Sequence, residues 1–183
     1  MQRLATAAGA LAPEAAPEVE SLAVTAVEWS EPPVLEQRPQ PPLAVEEAIA
    51  VMAGFFHADC AAEVEMSWPL WQFGREGWRR QPARLVCTTL GPGFAAGAAA
   101  DEGQVQVDFG MDELYLAELA PWDRATRMHL QTNIAQLLAG SLQLQHRLQP
   151  RRRRLWSEGG ADWSERLAER LRQAAAAPGE GPA

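Results

Sequence analysis

Few residues in this chain are spaced for chemistry. His57 and Cys60 stand three apart, with Asp59 between them, in FFHADC. That pair offers two metal ligands, whereas a zinc site needs three or four. Cys87 is the only other thiol, and His129 and His146 lie far along the chain with no cysteine beside them. Two core-type cysteines and a structural histidine are the expectation. A thiol enzyme would need Cys87 met in space by a base and an orienting carboxylate. His129 and Asp108 are the candidates, and no local signature links the three. Asp108, Asp112 and Glu113 in VDFGMDELYL suit either an acid pair or cation site, or a strand end rich in solvated acids. The glycines of TTLGPGFAAG lack the Lys-Ser/Thr pair of a phosphate loop and read as a hairpin turn. No cofactor is implied.

Two clusters are better suited to binding. Arg151, Arg152, Arg153 and Arg154 are consecutive in a chain that has no lysine, with Trp156 beside them and Arg147 one helical turn before. Guanidinium forks grip phosphates or carboxylates. The acids Glu158, Asp162 and Glu165 follow closely, which favours a solvated joint between two helices or docking on an acidic surface over a phosphate site. The second cluster is MSWPLWQFGREGW, where Trp68, Trp71, Phe73 and Trp78 crowd into eleven residues with Arg75, Arg79 and Arg80 interleaved or adjoining. Trp68 continues the inward face of a strand, while Trp71 and Trp78 flank a polar loop. Tryptophan and arginine are enriched at binding hot spots; the competing account packs the rings under another part of the same chain. The candidate partner-binding set is Trp71, Arg75, Trp78, Arg79, Arg80, Arg151 to Arg154 and Trp156.

The charge bounds what these clusters can meet. The 183 residues carry a net charge of −8, which argues against general nucleic-acid binding. The balance is uneven: two arginines against six acids in residues 1–43, four against twelve in 44–119, ten against six in 120–183. No window approaches eighteen apolar residues, and the N-terminus lacks the apolar core of an export signal. The expectation is a cytoplasmic protein without membrane contact.

The elements that position these residues follow from periodicity. Residues 1–43 hold most of the prolines and many acids and read as an acidic, Pro/Ala-rich, largely disordered tail; Ser21 to Trp29 is the stretch able to form a short strand. The domain is expected over 44–148. Val45, Ala48, Ile49, Met52, Phe55 and Phe56 recur at three and four, predicting a helix of about four turns. AEVEMSW then alternates, with Val64, Met66 and Trp68 on one face. FGREGWRRQP reads as a polar connection, and ARLVCTTL and QVQVDFG as two further strands. Leu130, Ile134, Leu137, Ser141, Leu144 and Leu148 trace the stripe of a long amphipathic helix that Pro150 stops, its opposite face being Gln, Asn and Arg. Residues 149–183 are an Arg-rich joint, a C-terminal helix from Asp162 to Ala176, and a frayed end. The predicted fold class is α+β: an N-terminal helix, a three-stranded antiparallel meander, a long amphipathic helix and a C-terminal helix.

In composition and element order, residues 44–148 resemble the bacterial secretion chaperones and secretion-control proteins of type III export systems, which implies a chaperone-like or regulatory role; no site residue is carried over. The residues themselves point to a non-catalytic protein-interaction module, an adaptor or regulatory factor. It would meet another protein with an acidic surface through the aromatic/Arg loop and the basic C-terminal helix, and a homodimer is compatible with the same features. A thiol- or carboxylate-dependent enzyme is the alternative from a different class.

Overall fold

In the computed structural model, the described residues are 1–11, 18–26, 31–94, 105–115, 124–154 and four positions, 165, 166, 168 and 169, that are helical. The sheet is built on a long hairpin. β4 (Cys60–Gly74) and β5 (Gly77–Leu90) pair along their whole length, from Ala61↔Leu90 to Gly74↔Gly77. On β4 the side chains of Ala62, Val64, Met66, Trp68 and Leu70 are buried, extending the alternation by which this strand is recognised. β6 (Val105–Asp108) pairs with Val86 to Thr89 of β5.

The expectation of a three-stranded meander is overturned. Among the described residues, one antiparallel sheet of six strands is present, in the order β2-β1-β4-β5-β6, with β3 also on β1. The additional strands β1 (Glu18–Ala26), β2 (Leu35–Gln37) and β3 (Leu43–Ala44) come from residues 18–44, the stretch whose composition suggests a tail. A bulge explains why β1 is hard to read. The register with β4 shifts between Val19 and Ser21, so Val19, Leu22 and Val24 are all buried although their spacing breaks strict alternation. The meander strands are also longer than expected. The polar connection FGREGWRRQP is the end of β4, the turn and the start of β5.

Among the described residues, helices α1 (Gln2–Ala10), α2 (Val45–Ala53) and α3 (Arg124–Leu148) cover the face that carries Val64 and Trp68. α1 buries Leu4, Ala7 and Ala8 and packs against α2, α3 and β5. Its core residues are mostly alanines, whose small side chains let the helix lie close to its neighbours. Gly140 of α3 serves the same approach: a methyl group there would stand 3.1 Å from both Leu11 and the Trp68 ring. α2 is shorter than predicted, ending before Gly54, with Val45, Ala48 and Met52 buried. In α3, Leu130, Ile134 and Leu137 are buried as their stripe predicts. Among the described residues, no helix is long and apolar enough to cross a membrane.

The other face of the sheet is polar. Arg84 lies between Glu65 at 3.3 Å, Asp108 at 3.5 Å and Glu63 at 3.9 Å. These exposed pairs are each worth about 1 kcal/mol at most, so the helical face holds the fold together. The GPG turn after β5 is also structural. The Gly91 amide donates to the Cys60 carbonyl at 2.8 Å and the Gly93 amide to the Ala58 carbonyl at 2.6 Å. A β-carbon on Gly91 would stand 2.4 Å from the Ala58 carbonyl oxygen. Gly91→Ala is therefore expected to lower stability by about 1–3 kcal/mol, read as a reduced urea midpoint; an unchanged midpoint would contradict the packing of this turn.

Candidate functional site

The hairpin tip gathers the aromatic/Arg cluster. β1 pairs with β4 only as far as Met66 and β6 with β5 only from Val86 onward, so the ribbon beyond these residues stands clear of both neighbouring strands. Pro69 and Pro82 face each other within it. Its turn is Gly74-Arg75-Glu76-Gly77. Neither Arg75 nor Glu76 has a positive φ, whereas Gly77 has φ +89°, the pattern of a type I turn closed by a left-handed glycine. Phe73 and Trp78 are directly opposed, with ring centroids 5.5 Å apart. The His129 ring of α3 lies 4.0 Å from Trp71 and 5.2 Å from Trp78. Trp71 and Trp78 are thereby half-buried, while Phe73 remains 70% exposed. Arg75, Arg79 and Arg80 are exposed around them. Arg79 pairs with Glu76, and Arg80 Nε donates to the Pro69 carbonyl at 3.4 Å.

α3 fixes this ribbon through a polar stripe. Asn133, fully buried, accepts from the Trp71 amide at 2.9 Å and donates to the Trp71 carbonyl at 2.8 Å and the Leu114 carbonyl at 2.7 Å. Its carboxamide thus satisfies the edge of β4 as another strand would. One turn on, Gln136, with its amide oriented to satisfy both groups, accepts from Trp68 Nε1 and donates to the Pro69 carbonyl, each at 3.2 Å. These side chains belong to the face that the apolar stripe assigns to solvent. His129, Asn133, Gln136 and Gly140 follow one another at four, three and four, and that helical spacing of non-apolar residues is the signal that could have revealed them.

The tip and the arginine run are not brought together. Arg151 to Arg154 are exposed and follow the C-terminal end of α3, where Arg153 donates to Gln145. His129 marks the tip, so the two arginine groups are separated by about 24 Å along the helix axis. Trp156, also a candidate, lies outside the described residues, as does most of the expected C-terminal helix.

The candidate catalytic groups are dispersed. Cys87 is fully buried, and desolvation pushes its thiol up to about 12, so it is not the thiolate that nucleophilic chemistry requires at neutral pH. Cys87 pairs with Val107, which puts the neighbouring Asp108 on the opposite face of the sheet; His129 is at the tip. Asp108 is engaged by Arg84 and accepts from the Gly110 amide at 2.8 Å. Cys60 is buried beside Asp59, while His57 is exposed. Among the described residues, no three His, Cys, Asp or Glu side chains converge to hold a metal ion. The Tyr115 hydroxyl donates to the Phe109 carbonyl at 2.8 Å; burial, and secondarily the Asp108 charge, push its ionisation above the usual tyrosine range. No family model, curated protein or solved structure matches this chain.

Proposed function

We propose that the chain is a non-catalytic docking module of the cytoplasm, an adaptor, chaperone-like or regulatory factor, that holds a partner protein on the β4–β5 tip. The observation that carries this reading is Phe73. A large apolar ring is left 70% exposed on a ribbon whose backbone is clamped by a buried asparagine. A contact surface ordered in advance loses little conformational entropy on binding. The partner presents carboxylates, because Arg75, Arg79 and Arg80 lie exposed on the same ribbon as the aromatic rings and guanidinium forks match carboxylate geometry. The net charge of −8 repels polyanions at a distance, so the arginines act at contact range and nucleic acid is disfavoured. Arg151 to Arg154 provide a separate basic contact at the other end of α3.

The test compares the native chain with Phe73→Ser/Arg79→Ser/Arg80→Ser, first recovering the partner from the cell of origin and then titrating the purified pair. Affinity is expected to fall at least about tenfold, the equivalent of 1.4 kcal/mol. The unfolding free energy should move by only about 0.5 kcal/mol, as for other exposed substitutions. Undiminished affinity would overturn the assignment of the tip. Arg152→Ser/Arg154→Ser measures the share of the arginine run. Self-association that the triple variant abolishes would identify a second copy as the occupant.

A further inference from the structure

Among the described residues, the tip also has an uncovered backbone edge. Asn133 takes both the amide and the carbonyl of Trp71 from the side of β4 away from β5. Trp71 and Arg80, which are opposed, therefore do not exchange backbone hydrogen bonds, and alternation turns the N–H and C=O groups of Arg80 and Trp78 outward along β5. β6 covers β5 only between Val86 and Thr89. Gly110, at φ +86° and close against the Arg84 carbonyl, turns the chain off that line, and Leu114 is then held at Asn133. Asn133 and Gln136 close the corresponding edge of β4. Among the described residues, no strand closes the edge of β5 from Trp78 to Gln81, where Arg79, Arg80 and Gln81 are exposed.

We propose that this edge receives an added β-strand from an extended acidic segment of the partner. The inference rests on the docking reading above and specifies its mode. Strand addition supplies main-chain hydrogen bonds for affinity and alternating side chains for selection. A strand laid here places successive side chains beside Arg80 on one face and Arg79 on the other, so a carboxylate on each face takes a guanidinium now held by the Pro69 carbonyl and by Glu76 respectively. Trp78 offers an apolar ring on the Arg80 face. Pro82, which has no N–H, ends the edge on the side of the sheet body. A second copy of this chain is a poor occupant, because pairing two such edges sets arginines against arginines.

The probe is an end-blocked eight-residue peptide of Val and Thr carrying adjacent glutamates, one for each face, titrated into the full chain and followed by amide resonances and hydrogen exchange. Saturable binding is expected, with exchange of the Trp78 and Arg80 amides slowed at least tenfold. Two peptides, N-methylated at one or the other alternate set of residues, separate the amides that face β5 from those that face away; the first should bind about tenfold or more weakly, the effect of a lost hydrogen bond and the bulk put in its place. A Lys-for-Glu peptide should not bind. Binding that survives N-methylation of both sets, or leaves the Trp78 and Arg80 amides unprotected, overturns strand addition; so does an absence of saturable binding. In each of these cases the docking reading is judged separately, by the affinity of the purified partner for Phe73→Ser/Arg79→Ser/Arg80→Ser.

Discussion

Asn133→Leu lowers the unfolding free energy by about 3–5 kcal/mol, because three part-buried backbone groups lose their partner at once and each unsatisfied group costs about 1–3 kcal/mol. The groups are the amide and carbonyl of Trp71 and the carbonyl of Leu114. Leucine has a similar volume, so cavity formation is a minor part of the loss. Asn133→Asp is worse at neutral pH. A carboxylate can accept from the Trp71 amide but cannot donate to either carbonyl, and it places a charge at a fully buried position. Protonation restores one donor, so the aspartate variant should regain stability as pH falls, whereas the leucine variant gains nothing from this site. Urea unfolding at two pH values separates the two. Hydrogen exchange at the Trp71 amide reports the local effect, because opening of the ribbon exposes that group first. A loss below about 1 kcal/mol with the Trp71 amide still protected would show that Asn133 does not clamp the tip.

Alkaline pH is the second large effect. The Cys87 thiol is pushed from 9.0 to about 12 by burial, and Tyr115 is raised by burial and then by the Asp108 charge. Both groups remain protonated in the folded protein at a pH where the unfolded chain has released their protons. The stability they contribute is therefore whole below the unfolded value and is lost as pH rises through the folded one. From pH 9 upward the unfolding free energy falls by about 1.4 kcal/mol per pH unit for the thiol. Tyrosine adds a similar slope above its unfolded value of 10.0. Urea midpoints at pH 8, 9, 10 and 11 measure the decline, and Cys87→Ala should flatten its first part while lowering the whole curve slightly through the small cavity left behind. A midpoint constant between pH 8 and 11 would contradict the burial of both groups.

What could be read from the residues divides by the range of the interaction. The alternation of Val64, Met66 and Trp68 and the stripe of Leu130, Ile134 and Leu137 report burial directly, because the side-chain period belongs to the strand or helix itself. The aromatic/Arg cluster is legible for the same reason: Trp71 and Trp78 stand beside arginines in a polar stretch, and the structure places them together at the tip. Three features escape such a reading. β1 carries a bulge at Val19 to Ser21, so its buried residues fall out of phase. α1 is alanine-rich, and alanines mark a core only when closely approaching neighbours surround them. Pro69 and Pro82 mimic the end of a strand, yet they are opposed at a position where backbone groups point away from the hairpin, so neither removes a β4–β5 ladder bond.

Composition and periodicity alone determined that the chain has mixed helix and sheet, an acidic body, a basic C-terminal third and a cluster of aromatic and arginine residues. These depend on residue type and on neighbours a few positions away. Tertiary structure decided that residues 18–44 complete a six-stranded sheet, that Cys87, Asp108 and His129 stand apart, and that Asn133 clamps Trp71. Each of those outcomes depends on which distant backbone groups lack a partner once the chain is packed. A buried carbonyl or amide must find one, and here a carboxamide from a helix face that otherwise reads as polar supplies it.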